Sequence, residues 1–158
     1  MGNDYLSIMI QSLQKKRKIL DEIIEKNKEQ RQILEQDDLD ADAFEQNVQL
    51  KSDLVDQIDF LDDGFEELYG RVKSVIEAEK QEHREEILLM KQLITEITEK
   101  SVTIQSEEAR NRRLVEHRFA QERKKIRSRK DTSTIANQYY KNMSKLNFVD
   151  AQFMDKKK

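Results

Sequence analysis

The sequence predicts an all-α fold: an elongated antiparallel three-helix bundle or coiled coil, ending in a short C-terminal helix or flexible tail. Three observations carry this. Turn-forming residues are nearly missing, with three Gly and no Pro in 158 residues, where average usage would give about 11 and about 8. Strand-rich folds need turns, and turns need those residues. Charged residues make up 39% of the chain and hydrophobic ones 36%, a balance that suits narrow apolar seams on solvated helices. Apolar residues also recur at heptad spacing in three separate stretches, which argues against the disorder that high charge would otherwise favour.

The first helix is expected over about 5–36. Leu6, Leu13, Leu20, Asn27 and Leu34 fall seven apart, and Ile10, Arg17, Ile24 and Arg31 form a row four residues after them. Asn27 is the polar interruption of this seam. It either fixes register or is a boundary residue facing water.

The second helix, about 41–79, follows Asp37-Asp38-Leu39-Asp40. Asp40 suits an N-cap, and Asp42 sits at the positive end of the helix dipole. Its stripe reads Phe44, Val48, Val55, Ile58, Leu61, Phe65, Leu68, Val72 and Val75. Lys51 occupies the one missing seam position and is expected to snorkel. The stripe keeps its phase across Gly64 and Gly70, so one helix is predicted, with a weak point there. From Glu77 to Glu86 only Ala78 is apolar. A chain with no core residue to lose in this stretch is expected to turn at about 79–82.

The third helix, about 82–130, carries Ile87, Met90, Ile94, Ile97, Ser101, Ile104, Glu108, Asn111, Leu114, Phe119 and Ile126. The seam is dense to Ile104 and dilute afterwards. Asp131-Thr132-Ser133-Thr134 breaks the pattern and offers N-caps. The chain thus divides into a bundle over 1–130 and a short helix with a flexible segment over 131–158. The latter holds Tyr139, Tyr140, Met143, Phe148, Phe153 and Met154. It is either a terminal helix folded back on the bundle or a recognition segment that orders on a partner.

Several chemistries are not expected. Without Cys there are no disulfides, Cys-based zinc sites or thiol catalysis. Glu-x-x-His pairs of the kind that hold metals in helical bundles are missing, since Lys80 and Leu114 stand three residues before His83 and His117. Both histidines are read as solvated. No phosphate loop or HExxH motif occurs. No catalytic residue, cofactor or metal is therefore assigned. No apolar run approaches the roughly 18 residues of a membrane span, and the N-terminus lacks the order of a signal peptide. A cytoplasmic protein without membrane insertion is expected.

Charge is segregated. Residues 37–86 hold 5 basic and 17 acidic side chains, net −12, and residues 110–130 hold 10 basic and 2 acidic, net +8. The whole chain is at −3, and only Phe119 could stack on a base in the basic stretch. Nucleic acid is not expected as a partner. Apolar surface remains, and the expected partner-binding residues are Ile104, Leu114, Phe119 and Ile126 on the third helix and Tyr139, Tyr140, Met143 and Phe148 in the tail.

Taken together, a long first helix, Asp37-Asp38-Leu39-Asp40-Ala41-Asp42-Ala43-Phe44, then Lys51, Leu54, Ile58 and Leu61, and finally Glu107-Glu108-Ala109-Arg110-Asn111-Arg112-Arg113-Leu114 resemble the FlgN family of flagellar export chaperones, related in style to the FliT type. The resemblance covers about residues 5–120. It implies a cytosolic, non-enzymatic chaperone that holds amphipathic C-terminal helices of hook–filament junction proteins for the type III flagellar export apparatus. It also implies a flexible C-terminal segment whose tyrosine docks at the export gate, to which Tyr139 or Tyr140 would correspond. A hook-associated client helix would then complete a four-helix core along an uncovered apolar groove. The alternative is a structural coiled-coil scaffold that closes its seams by self-association as a homodimer.

Overall fold

The computed structural model describes residues 2–121, 137–139 and 141. Three long helices make up the body: α1 (Gly2–Glu35), α2 (Ala41–Ala78) and α3 (Arg84–Gln121). No strand occurs among the described residues, so the all-α class expected from composition is the class observed. Each helix is about 50–57 Å long at about 1.5 Å per residue.

The ends of the helices follow from local chemistry. Asp40 caps α2: its Oδ1 accepts from the Ala43 N–H at 3.1 Å and its carbonyl from the Phe44 N–H at 3.0 Å. The connection between α2 and α3 occupies residues 79–83, without Gly or Pro. The His83 N–H donates to the Glu79 carbonyl at 3.3 Å, and the His83 carbonyl accepts from Ile87 at 2.9 Å. Helix α2 runs unbroken through Gly64 and Gly70, where an added Cβ would meet nothing within 4 Å.

Cross-helix bonds give the topology. Between α1, with the connection just after it, and α3 the partners stand a nearly constant 79–84 positions apart, from Arg17–Glu96 through Asn27–Asn111 to Asp37–Arg118. A constant offset means parallel helices. Between α1 and α2 the separation falls from 66 at Tyr5–Arg71, through 46 at Lys16–Asp62, to 17 at Gln30–Asn47. A shrinking offset means antiparallel helices. The order is up, down, up.

Helix α1 is the spine. Its backbone runs close to both α2 and α3, while α2 and α3 hardly approach one another. Two rows of α1 are therefore buried. One is the expected row Leu6, Leu13, Leu20, Asn27 and Leu34. The other is Met9, Lys16, Ile23 and Gln30, three residues on from the first. The row expected from the sequence, four residues on, is only partly covered at Ile10 and Ile24 and exposed at Arg31. Lys16 and Gln30 disguise the true second row, because half of it is polar. Lys16 is held there by Asp62, with Nζ to Oδ1 at 2.8 Å and both side chains buried.

Candidate partner-binding site

The valley between α2 and α3, floored by α1, is where another helix would lie. Its walls are already covered. Val55 and Ile58 of α2 and Ile97 and Ile104 of α3 are all buried. Large apolar side chains that stay exposed among the described residues, such as Phe60, Leu88 and Val102, are not these wall residues. At one level the covering group belongs to the chain itself. Residues 137–139 and 141 are helical, and Tyr139 is buried at 1% exposure.

Tyr139 lies at the polar centre of the bundle. The Lys51 ammonium sits 4.2 Å from its ring centroid, a cation–π contact strengthened by the lack of water. The Tyr139 hydroxyl donates to Glu108 Oε1. The same oxygen accepts from Lys51 Nζ at 2.7 Å. Lys51 therefore does not snorkel as expected. It is fully buried because a buried carboxylate on α3 faces it. Burial pushes the Lys51 pKa below its ordinary value, and the charge and hydrogen bond of Glu108 oppose that shift.

The pair is embedded in a wider polar layer. Lys51 Nζ also donates to Gln30 Oε1 at 3.2 Å. Gln30 Nε2 donates to Asn47 Oδ1 at 3.1 Å, and Asn47 Nδ2 to the Lys26 carbonyl at 2.9 Å. Asn111 Nδ2 donates to the Asn27 carbonyl at 3.0 Å and to Gln30 Oε1 at 3.1 Å. Asn27 Nδ2 donates to Glu107 Oε1 at 3.2 Å. Asn27 is fully buried; of its two sequence readings, the water-facing one is excluded.

The expected partner-binding residues fall in different places. Ile104 is fully buried one turn before Glu108, at the level of Tyr139. Leu114 and Phe119 are half-buried farther along α3. Phe119 packs edge-on against Phe44 of α2, with centroids 5.5 Å apart and planes at 74°. The structure brings Ile104 and Tyr139 to one level and leaves Phe119 about 22 Å from Ile104 along the helix axis. Ile126, Tyr140, Met143 and Phe148 lie outside the described residues, as does the expected stretch 122–130 of the third helix.

His83 corrects a second expectation. It is buried, not solvated. Its Nδ1 meets Glu86 at 2.9 Å and its Nε2 meets Glu79 at 3.2 Å. These carboxylates, Glu86 foremost, raise its pKa above 6.5. Ligand atoms of Glu79, Glu82 and His83 lie within 4.8 Å of one another, an arrangement that the tight turn itself produces. His117 is exposed, as expected.

Sequence reasoning singles out Asn27 and Lys51 as polar breaks in apolar seams and places Glu108 and Asn111 on the dilute part of the third helix's stripe. It missed that they share a level, and it missed Gln30 and Asn47. The available signal was the two turns. With loops at 36–40 and 79–83, position 27 must face the upper part of α2 and a position about 80 further on in α3.

No helix among the described residues is long and apolar enough to cross a membrane. A family model described as FlgN protein matches residues 1–146 of the chain. No curated protein matches it, nor does any solved structure.

Proposed function

The chain belongs to the FlgN family, whose members are flagellar export chaperones, and from that premise we propose that it is a cytoplasmic, non-enzymatic holder of one amphipathic helix. The client is the C-terminal helix of a hook–filament junction protein, kept for type III export. The observation that carries this reading is the seat of Tyr139. A short helical piece of the chain's own C-terminal region enters the valley between α2 and α3, two helices whose backbones hardly meet. A valley that admits one foreign helix turn has the width for another.

Holding then works by exchange. The client helix displaces the 137–141 piece and completes a four-helix core. The displaced tyrosine becomes available to the export gate, the role that family resemblance gives to a C-terminal tyrosine. Client loading and gate docking are thereby coupled, since one segment cannot be in both places.

The test is a titration of the full chain with synthetic peptides of the C-terminal helices of hook–filament junction proteins from the same genome. Saturable one-to-one binding to a monomer is expected. Tyr139→Ala should tighten it, because it weakens the internal competitor. An obligate dimer by sedimentation that takes up no peptide would favour the scaffold reading instead.

A further inference from the structure

The polar layer at the centre of the bundle has an imbalance. Asn27, Gln30, Asn47, Lys51, Glu108 and Asn111 are all buried. The donor nitrogens of the five residues other than Glu108 each make at least one of the bonds described above, and Tyr139 adds a donor from the C-terminal piece. Three buried acceptor oxygens nevertheless meet no donor among the described residues: Asn27 Oδ1, Glu108 Oε2 and Asn111 Oδ1. All three are acceptors, so what the layer lacks is a donor aimed at them. Leaving such groups unmatched is unfavourable, and an apolar layer of the same volume would be no less stable.

Resting on the exchange reading, we infer that this layer is a specificity site for the client: it selects a helix carrying Gln or Asn at the seam position level with Lys51 and Glu108. The chemistry favours a neutral donor. Lys51 and Glu108 already pair with each other, and the neighbouring Glu107 accepts from Asn27, so an incoming Arg or Lys would compete with Lys51 for Glu108 and bring a second cation out of water. A carboxamide brings two N–H donors and no charge. It replaces the single hydroxyl of Tyr139 on Glu108 Oε1 and leaves a second N–H for the unmet Oε2 of the same carboxylate. Tyr139 is in this sense the chain's own one-donor substitute. Clients with Leu at that position would bury the carboxylate against hydrocarbon and be rejected.

The test scans the client peptide. Each seam residue of the binding peptide is replaced in turn by Leu, and affinities are measured for the native chain and for a K51M/E108L/Y139F variant. Replacing a buried ion pair with apolar residues of similar volume is generally neutral or stabilising, and circular dichroism checks that the variant is folded. One Gln→Leu or Asn→Leu peptide should lose about tenfold or more on the native chain and should bind the variant better than the parent peptide does. If every Gln→Leu and Asn→Leu peptide binds the native chain as well as the parent, the selectivity is overturned while the chaperone reading stands. If the variant is folded and keeps the native preference, the layer is not its source, and the inference fails. If no junction-protein peptide binds the native chain, the chaperone reading fails and takes the inference with it. If the variant does not fold, the native scan alone decides.

Discussion

Lys51 shows how one buried charge commits the residues around it. Its ammonium is out of water and held by Glu108, Gln30 and the Tyr139 ring. Removing one member of a buried pair strands the other, at about 3–5 kcal/mol, whereas replacing both with hydrocarbon is often neutral or stabilising by about 1–4 kcal/mol. Lys51→Met alone should therefore destabilise the chain by about 3–5 kcal/mol, and Lys51→Met with Glu108→Leu should recover all of that loss. Urea unfolding measures both, and a double variant no better than the single one would contradict the account. His83 makes a second residue-scale prediction. Its pKa is raised by Glu86 and Glu79, so folding favours the protonated ring. The contribution is complete below the ordinary 6.5 and is lost as pH climbs through the higher folded-state value. Ring-proton NMR should show a His83 midpoint above 6.5, and His83→Gln should remove this component from the pH dependence of the melting temperature. A midpoint at or below 6.5 would refute it.

Helix α2 carries two glycines that its packing does not require. Gly64 and Gly70 lie inside a continuous helix, exposed, with open space where a Cβ would go. Glycine in a helix interior is worse than alanine by about 0.5–1 kcal/mol, mainly through the freedom of the unfolded chain. Gly64→Ala and Gly70→Ala should each stabilise the protein by about that amount, read as a shift in the urea midpoint without change in slope. A loss of stability would mean that the backbone there departs from helix during the life of the protein. At the other end of α2, Asp40→Ala removes the cap on Ala43 and should cost about 0.5–2 kcal/mol.

At the scale of the whole molecule, the organisation is a spine with two flanking helices. Amide hydrogen exchange should be slowest in the middle of α1, around Leu20 to Asn27, which is packed from both sides, and faster at the matching levels of α2 and α3. Equal protection in all three would argue against a central α1. Much of this architecture is legible in the amino acids. The scarcity of Gly and Pro excludes sheets, the unbroken phase across Gly64 predicts a single α2, and the blank stretch from Glu77 to Glu86 contains the turn. The spine is not legible, because its second buried row contains Lys16 and Gln30, which periodicity counts as surface. Asp62 makes that row possible, and its partnership with Lys16 becomes visible only once the helices are paired. The candidate site was legible in the same partial way. Lys51 and Glu108 each stand out as a charge on an apolar seam, but a seam says nothing about which charge meets which. Tyr139 reads from the sequence either as a recognition residue or as part of a folded-back helix, and in the structure it is buried against Lys51 and Glu108.

The spine also has a consequence for the birth of the protein. On the ribosome, α1 can close against α2 as soon as that helix has emerged. Its other flank, bearing Arg17, Asp21 and Asn27, waits for partners about 80 positions downstream. At synthesis rates of about 5–20 residues per second, that wait lasts several seconds. During it, a nascent hairpin shows its surroundings an uncovered edge shaped to take a parallel helix, and that helix is the chain's own α3, still to be made.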